Sequence, residues 1–202
     1  MRRIGTLFLV LMLLLGGCGK IEQKPVRNQY TATFLTLFDT VTTIVGFAET
    51  KDDFHVESQK IRDELEMYHH LFDIYNEYEG ITNLKIVNDR AGEEPVVVDE
   101  IIIELLKDCK SYYEETGGKV NVAMGSVLKL WHDARSAGLH DPERAELPKM
   151  EKLTEASAHC SMEDVILDEE ASTVYFKDPM LKLDVGAVAK GWAAQQIGRA
   201  HV

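Results

Sequence analysis

The segment at 183–192, which reads LDVGAVAKGW, combines a carboxylate, a turn of small residues and a lysine. Its apolar start predicts a strand that ends near Asp184, and the turn leads into a helix whose first turns carry Lys190. Small residues let a ligand approach the backbone, and the first amides of a helix favour a phosphate group. Lys190 would place its charge against a pyrophosphate, and Asp184 would accept hydrogen bonds from a base or ring. The alternative is tight strand–helix packing with Lys190 in solvent, because the segment is neither a Walker A loop nor a GxGxxG fingerprint.

The histidines and cysteines do not have the spacing of metal ligands. His69 and His70 are adjacent, so on a helix they lie on different sides and cannot chelate a metal together. We assign no chemical role to any of the 7 histidines. Cys109 falls on the apolar face of a predicted helix, where a buried free thiol is expected. Cys160 could pair with it in an exported protein, but the spacing does not require a disulfide.

The N-terminus has the pattern of an export signal, with Arg2 and Arg3 before a short apolar run at 7–15. This run is too short to span a bilayer. It ends in LGGC at 15–18, which resembles the lipobox of bacterial lipoproteins, and the alternative is a plain export signal with an incidental cysteine. We expect a signal peptide at 1–17, followed at 18–29 by a lipidated Cys18 and a polar tether. The acyl chains would then hold the protein on the outer face of the cell membrane.

The elements that would position this chemistry begin with a Thr-, Phe- and Val-rich stretch at 30–47, which predicts two strands or a bent hairpin with a break at Phe38-Asp39-Thr40. From Phe54 to Phe72, apolar residues recur at helical spacing and predict a helix of about four turns. The Asn- and Gly-rich stretch at 73–95 predicts a long irregular connection. Connections of that length more often have a functional role than serve only to join two elements.

A second helix is predicted from its cap at Asp99 to the Gly117-Gly118 pair that ends it. The stretch at 120–132 is expected to be partly helical, and the one at 138–142 to be a surface loop. Another helix is predicted at 149–158.

The last third of the chain predicts a hairpin of two strands, at 165–167 and 173–176, joined by the turn at 168–172. A final strand is predicted at 181–185, directly before the segment that carries Lys190. Because strands and helices are mixed without strict alternation, the expected fold class is α+β.

The chain's length, hydrophobic content and net charge limit the classes of function that it can have. The 202 residues are 45% hydrophobic, which suffices for one or two packed domains. With 34 acidic against 22 basic side chains, the net charge of -12 argues against non-specific binding to nucleic acid.

Several segments resemble one known family in the same order along the chain. The DVGAVAKG run at 184–191 resembles the D-x-G-x-x-A-K-G signature of the ApbE family, the FAD:protein FMN transferases once named thiamine-biosynthesis lipoproteins. Phe38-Asp39-Thr40 lies where that family has M-G-T, and Phe72-Asp73-Ile74-Tyr75 resembles its S-x-Y segment. Lys119-Val120-Asn121 precedes a stretch at 125–131 that resembles its V-G-P-L-x-x-L-W. The resemblance runs from about Thr33 to Gln196, and a lipobox is usual in the family.

The resemblance implies a role for each matched position. Asp184 would contact FAD and Lys190 would bind its phosphates, and both are expected to be catalytic. Ala187 would offer a backbone carbonyl to Mg2+, a cation that takes hard oxygen ligands. The residues expected to bind FAD are Phe38, Tyr75, Lys119, Val120, Asn121, Asp184 and Lys190.

The activity implied is the Mg2+-dependent transfer of FMN from FAD to a Thr or Ser hydroxyl of a target protein, with release of AMP. The acceptor would belong to a membrane redox complex or an extracellular reductase. Two alternatives remain open from the sequence: a flavin-binding lipoprotein without transferase activity, and a pyrophosphatase that splits FAD into FMN and AMP.

The chain departs from the family pattern at a few positions. Phe38 replaces a methionine and Asp39 replaces a glycine, which adds a charge and a side chain. Asn121 stands for a common aspartate and Ser126 for a proline. None of these changes removes the residue types that the proposed chemistry needs.

The end of the chain carries a further expectation. We expect 30–196 to be the N-terminal portion of an ApbE-like catalytic domain whose remaining strands and metal ligands lie in a further block. The last six residues, Ile197–Val202, match the translation of a common sequencing adapter, and we expect them not to be native. A stop codon after Val202 in the resequenced gene would contradict this expectation, and the alternative is a natural short paralogue. Because strands and metal ligands are missing, the chain as it stands is expected to transfer little flavin.

Overall fold

A computed structural model describes residues 26–201, without the side chain of His201. The predicted signal peptide, Cys18 and most of the tether lie outside these residues. Within the described part of the chain, no helix is long and apolar enough to cross a membrane. The strands are β1 (Asn28–Phe34), β2 (Thr42–Ala48), β3 (Val96–Val97), β4 (Val165–Asp168) and β5 (Thr173–Phe176). The helices are α1 (Lys51–Phe72), α2 (Leu84–Asp89), α3 (Glu100–Glu115), α4 (Gly125–His140), α5 (Met150–Ser157) and α6 (Ala189–His201).

The first two strands form an antiparallel hairpin, with Asn28 opposite Ala48 and Phe34 opposite Thr42. A short 3-10 helix at Leu37–Asp39 interrupts the chain between them. The hairpin packs on α1, where the ring of Tyr30 stacks on that of Phe54 with 5.6 Å between centroids. The prediction of two strands with a break is confirmed.

Helix α1 is longer than the periodicity suggested, with 22 residues. It begins before Phe54 because Thr50 caps it: the Thr50 hydroxyl accepts a hydrogen bond from the Asp53 amide at 3.1 Å. Asp99 caps α3 in the same way, accepting from the Ile101 amide at 2.9 Å, as predicted.

A second sheet has the strand order β3-β5-β4 and is antiparallel throughout. Val165 lies opposite Phe176 and Asp168 opposite Thr173, so the predicted hairpin is confirmed. Its inward residues Val165, Val174 and Phe176 are almost fully buried. With helices and both sheets mixed along the chain, the α+β class is confirmed.

Helices α1, α3 and α6 meet around aromatic side chains. The indole of Trp192 lies edge-on to Tyr68 and Phe72, with centroids 5.7 and 5.6 Å away. Cys109 lies on the buried face of α3 as a free thiol, as predicted, and Cys160 is also free. Burial and the charge of Asp108 raise the pKa of Cys109 to about 12, so it packs as an apolar group.

Three predictions about elements are wrong. The stretch at 181–185 forms no strand and makes a single bridge, between Lys182 and Met124. The backbone groups of Leu183 bond instead to the Asn88 side chain, so no strand partner is needed. The connection at 73–95 contains α2, which Asn83 caps. The expected loop at 138–142 begins inside α4, which continues through His140.

The start of α4 depends on a glycine. The Gly125 amide donates to the Lys182 carbonyl at 2.9 Å, which brings the two backbones together. A Cβ at Gly125 would collide with that carbonyl. This close approach fixes α4 against the residues that lead to Asp184.

Candidate functional site

The turn at 184–190 joins the extended segment to α6. The Asp184 amide donates to the Val122 carbonyl at 2.8 Å, and the Asp184 carboxylate accepts from the Gly186 amide at 2.9 Å. The Val185 carbonyl then accepts from the amides of Val188 and Ala189. The turn therefore winds into α6 through hydrogen bonds of its own, and Lys190, the second residue of α6, is exposed.

These bonds change the expected basis of phosphate binding. The amides of Gly186, Val188 and Ala189 already have internal acceptors, so they are not available to a ligand in this conformation. Lys190 forms no ion pair with any carboxylate of residues 26–201. Lys190 therefore supplies a positive charge at this turn that no ion pair within the described residues offsets.

The turn is a wall shared by two clefts. The first, of about 710 Å³, we call the α3–α6 cleft, and among its lining residues are Lys119, Val120, Asn121, Asp184 and Ala187. This volume is in the range of small-molecule sites. Five of the residues predicted from the sequence are thus brought together in one place.

The second cleft, of about 690 Å³, we call the aromatic cleft. Phe38, Tyr75 and Lys190 line it, so the remaining predicted residues gather here. Asp184 reaches towards this side as well, because it lines a smaller pocket together with Tyr75. The predicted residues thus occupy both sides of the turn and do not share one cavity.

The α3–α6 cleft has a rigid wall. The Asn121 side chain accepts from the Ala123 amide and donates to the Cys160 carbonyl, each at 2.8 Å. The Asp108 carboxylate accepts from the Trp192 indole nitrogen at 2.7 Å and so ties α3 to α6. Asn121 therefore shapes the cleft through the backbone, and Asp108 is a functional candidate that the sequence analysis did not single out.

Asp73 holds Tyr75 in the aromatic cleft. Its carboxylate accepts from the backbone amides of Tyr75 and Asn76 at 2.6 and 3.1 Å, and from the Tyr78 hydroxyl at 2.7 Å. Burial alone would raise the pKa of Asp73, but hydrogen bonds from the Asn76 side chain, the Tyr75 amide and Tyr78 outweigh it and lower the pKa. Asp73 is therefore ionised and fixes the turn that presents Tyr75.

The rings of the aromatic cleft contact one another. Tyr75 stacks on His132 with 4.8 Å between centroids, and Phe38 lies edge-on to His69 at 5.6 Å. Burial, with the charge of Asp184, raises the pKa of Tyr75, so its phenol is neutral near pH 7. The neutral aromatic surface of Tyr75 and Phe38 suits a flat ring.

Phe38 and Asp39 both have a φ of 52°, a left-handed conformation uncommon for residues with a side chain.

Asp73 and Asn88 differ in whether a local sequence pattern could have identified them as functional candidates. Asp73 follows a helix and precedes Asn76 closely, which is the pattern of a side-chain-capped turn, so local spacing could have identified it. Asn88 is buried and bonds to Leu183 across 95 residues, and no local pattern signals such a contact.

The donor set for a metal is incomplete here. No backbone amide of residues 26–201 donates to the Ala187 carbonyl, so that oxygen is available. The same residues contain no group of three or more His, Cys, Asp or Glu side chains that could hold a metal ion. Mg2+ is commonly held by few protein oxygens together with waters and substrate phosphates, and the Ala187 carbonyl is one such oxygen.

Both clefts lie within a region that matches a known protein family. The model of the ApbE family matches residues 38–201, which include both clefts and the turn between them. The chain belongs to the ApbE family. The family resemblance read from the sequence motifs is thus confirmed.

Two curated relatives are named FAD:protein FMN transferase. The one from Treponema pallidum (strain Nichols) is 35% identical over 119 residues, which are 56% of this chain and 31% of the relative. The one from Klebsiella pneumoniae (strain 342) is 31% identical over 114 residues, 55% of this chain and 33% of the relative. The chain thus spans about a third of the length of these relatives.

Solved structures share the fold. The ApbE protein of Thermotoga maritima superposes with a TM-score of 0.70 at 24% identity, covering 85% of this chain and 52% of that one. The flavin transferase ApbE of Vibrio cholerae gives 0.71 at 20% identity, covering 87% and 53%. At these identities the likeness concerns the fold alone.

Proposed function

We propose that the protein is an FAD:protein FMN transferase, which moves FMN from FAD to a Thr or Ser hydroxyl of an exported acceptor and releases AMP. The observation that carries this proposal is the turn at 184–190, whose family signature forms the common wall of two clefts. Asp184 and Ala187 line one side, and Lys190 lines the other with Phe38 and Tyr75. Two clefts that meet at one turn suit a substrate made of two nucleotide halves joined by a pyrophosphate.

The chain's own residues would act on FAD by binding and orienting it. Tyr75 and Phe38 offer apolar ring surfaces for a flat heterocycle, and Lys190 neutralises charge on the adjoining phosphates. The Asp184 carboxylate, fixed by the Gly186 amide, keeps acceptor capacity for a ring or ribityl donor. Such positioning and charge neutralisation are the main sources of rate in phosphoryl transfer.

The group transfer is a direct displacement. The acceptor oxygen forms a bond to the FMN-side phosphorus while the bond from that phosphorus to the bridging oxygen breaks. AMP leaves with the bonding electron pair, and the hydroxyl proton passes to solvent. No covalent intermediate on this chain is required.

Mg2+ dependence is part of the proposal, but no step is derived through the metal from these residues. Mg2+ would supply charge neutralisation on the phosphates. The described part of the chain contributes one candidate ligand, the Ala187 carbonyl, to which no backbone amide of these residues donates.

We also propose that the protein acts outside the cytoplasmic membrane as a Cys18-anchored lipoprotein. The lipobox-like LGGC at 15–18 and the polar tether after it support this assignment. An exported redox protein is then the acceptor class within reach, because the tether confines the clefts to the membrane surface.

The test uses the protein encoded by the resequenced locus, whatever its length, with FAD, Mg2+ and a membrane fraction of the host as the acceptor pool. We expect flavin fluorescence on a protein band of a denaturing gel, together with AMP in solution. Lys190→Ala should reduce both about 100-fold, since it removes a charge that contacts the reacting phosphates. Lys60→Ala, on the exposed face of α1, is the matched control and should leave both unchanged. AMP release with free FMN would indicate a pyrophosphatase, and FAD binding without AMP would indicate a carrier.

A further inference from the structure

The aromatic cleft contains a second cation that the family signature does not include. Arg135 lines it together with Lys190, Tyr75 and His132. Arg135 and His132 are three residues apart on α4, so they lie on the same face of that helix. The cleft therefore combines stacked rings with two positive charges, which is the chemistry of a site for a ring joined to phosphates.

The guanidinium of Arg135 has no carboxylate partner among residues 26–201, whereas Arg62, Arg90 and Arg144 each have one within 4.0 Å. Its hydrogen bond goes instead to His132 Nδ1 at 3.1 Å. A guanidinium can only donate, so Nδ1 is the acceptor in this contact. Arg135 is thus oriented by an imidazole rather than by an ion pair with a carboxylate.

The same contacts link Arg135 to the proposed flavin site. His132 stacks on Tyr75 with 4.8 Å between centroids and an angle of 27° between the rings. A ligand ring against Tyr75 would therefore place its phosphates within reach of the α4 face that carries Arg135. The carboxylates of Asp39 and Asp73 also line this cleft, but neither forms an ion pair with Arg135. The Asp73 carboxylate is held instead by the amides of its own turn.

We propose that Arg135 is a phosphate-binding residue of the aromatic cleft, which acts with Lys190 on the pyrophosphate of a flavin dinucleotide. The inference rests on the proposed function and adds a residue to it. Lys190 provides a point charge, and Arg135 provides a planar fork that can bind two phosphate oxygens. Two cations match the two negative charges of a pyrophosphate diester better than one.

The experiment compares the binding of FAD and riboflavin to wild type, Arg135→Ala, Arg135→Lys and the control Arg144→Ala, by quenching of flavin fluorescence. Arg135 is exposed, so the variants should fold, and circular dichroism verifies this. We expect Arg135→Ala to weaken FAD binding about tenfold and to leave riboflavin binding unchanged, because riboflavin has no phosphate. Arg135→Lys should lose less, and Arg144→Ala nothing.

The outcomes separate the inference from the function on which it rests. Unchanged FAD affinity in Arg135→Ala overturns the inference alone. Equal losses for FAD and riboflavin also overturn it, because Arg135 would then act through the His132–Tyr75 stack. If the wild-type protein encoded by the resequenced locus binds neither ligand, the proposed function itself is contradicted.

Discussion

Asn88 is expected to hold the approach to Asp184 in place, and its replacement should destabilise the protein. Its side chain donates to the Leu183 carbonyl at 2.9 Å and accepts from the Leu183 amide at 2.7 Å. Asn88 is 5% exposed and Leu183 is fully buried. Asn88→Ala therefore leaves two buried backbone groups without partners. At about 1–3 kcal/mol for each group, the expected loss in the free energy of unfolding is about 2–6 kcal/mol.

The assay is urea denaturation followed by circular dichroism, with FAD affinity as a second readout because Leu183 precedes Asp184. Asn88→Leu separates the two possible causes, since it fills the volume but restores neither hydrogen bond. Both variants should lose stability by similar amounts, and the control Asn28→Ala, on exposed strand β1, should change it by less than about 0.5 kcal/mol. A stable Asn88→Leu protein beside an unstable Asn88→Ala protein would refute the reasoning, because packing rather than hydrogen bonding would then be responsible.

Three further predictions follow from local geometry and charge. Asp39→Gly should raise the free energy of unfolding by about 0.5–1 kcal/mol, because φ at Asp39 is 52° and glycine adopts that value without steric cost; a lower urea midpoint would argue against this. Asp73→Asn should flatten the acid side of the stability curve. The folded pKa of Asp73 is lowered, so its carboxylate stabilises the fold above its unfolded pKa of about 4, and this contribution is lost as the pH falls through the folded value. The wild type should therefore lose its advantage over the variant below about pH 4, and a constant difference between pH 3 and pH 7 would be inconsistent with it. Cys109, with a pKa of about 12, should react with a thiol reagent only on global unfolding, and more slowly than half-buried Cys160; equal rates in peptide mass spectrometry would contradict its burial.

The elements that the sequence predicts correctly are those with a strong local signal. The Asp99 cap, the α1 periodicity and the hairpin of β4 and β5 depend on neighbouring residues, and all three are present. The stretch at 181–185 has the composition of a strand but forms none. Its partner is the Asn88 side chain, a long-range contact that overrides local propensity.

The same difference between local signals and long-range contacts applies to the site residues. The signature at 184–191 identifies the turn, because that pattern is local. The sequence could not say that Phe38 and Tyr75 lie on the other side of the turn from Lys119 and Asn121, since this depends on how α3, α4 and α6 pack. Arg135 also escapes sequence reasoning, because an arginine on an exposed helix face is usually solvated and becomes notable only beside His132 and Tyr75.

The central claim is that FMN moves from FAD to a protein hydroxyl, and the fate of one labelled phosphorus tests it most directly. FAD labelled with 32P in the phosphate next to the ribityl chain is incubated with Mg2+, the protein from the resequenced locus and host membranes. The proposal predicts label that stays on a protein band after denaturation, in a one-to-one ratio to AMP released. Label recovered entirely as free FMN, or as intact FAD, would contradict the proposal.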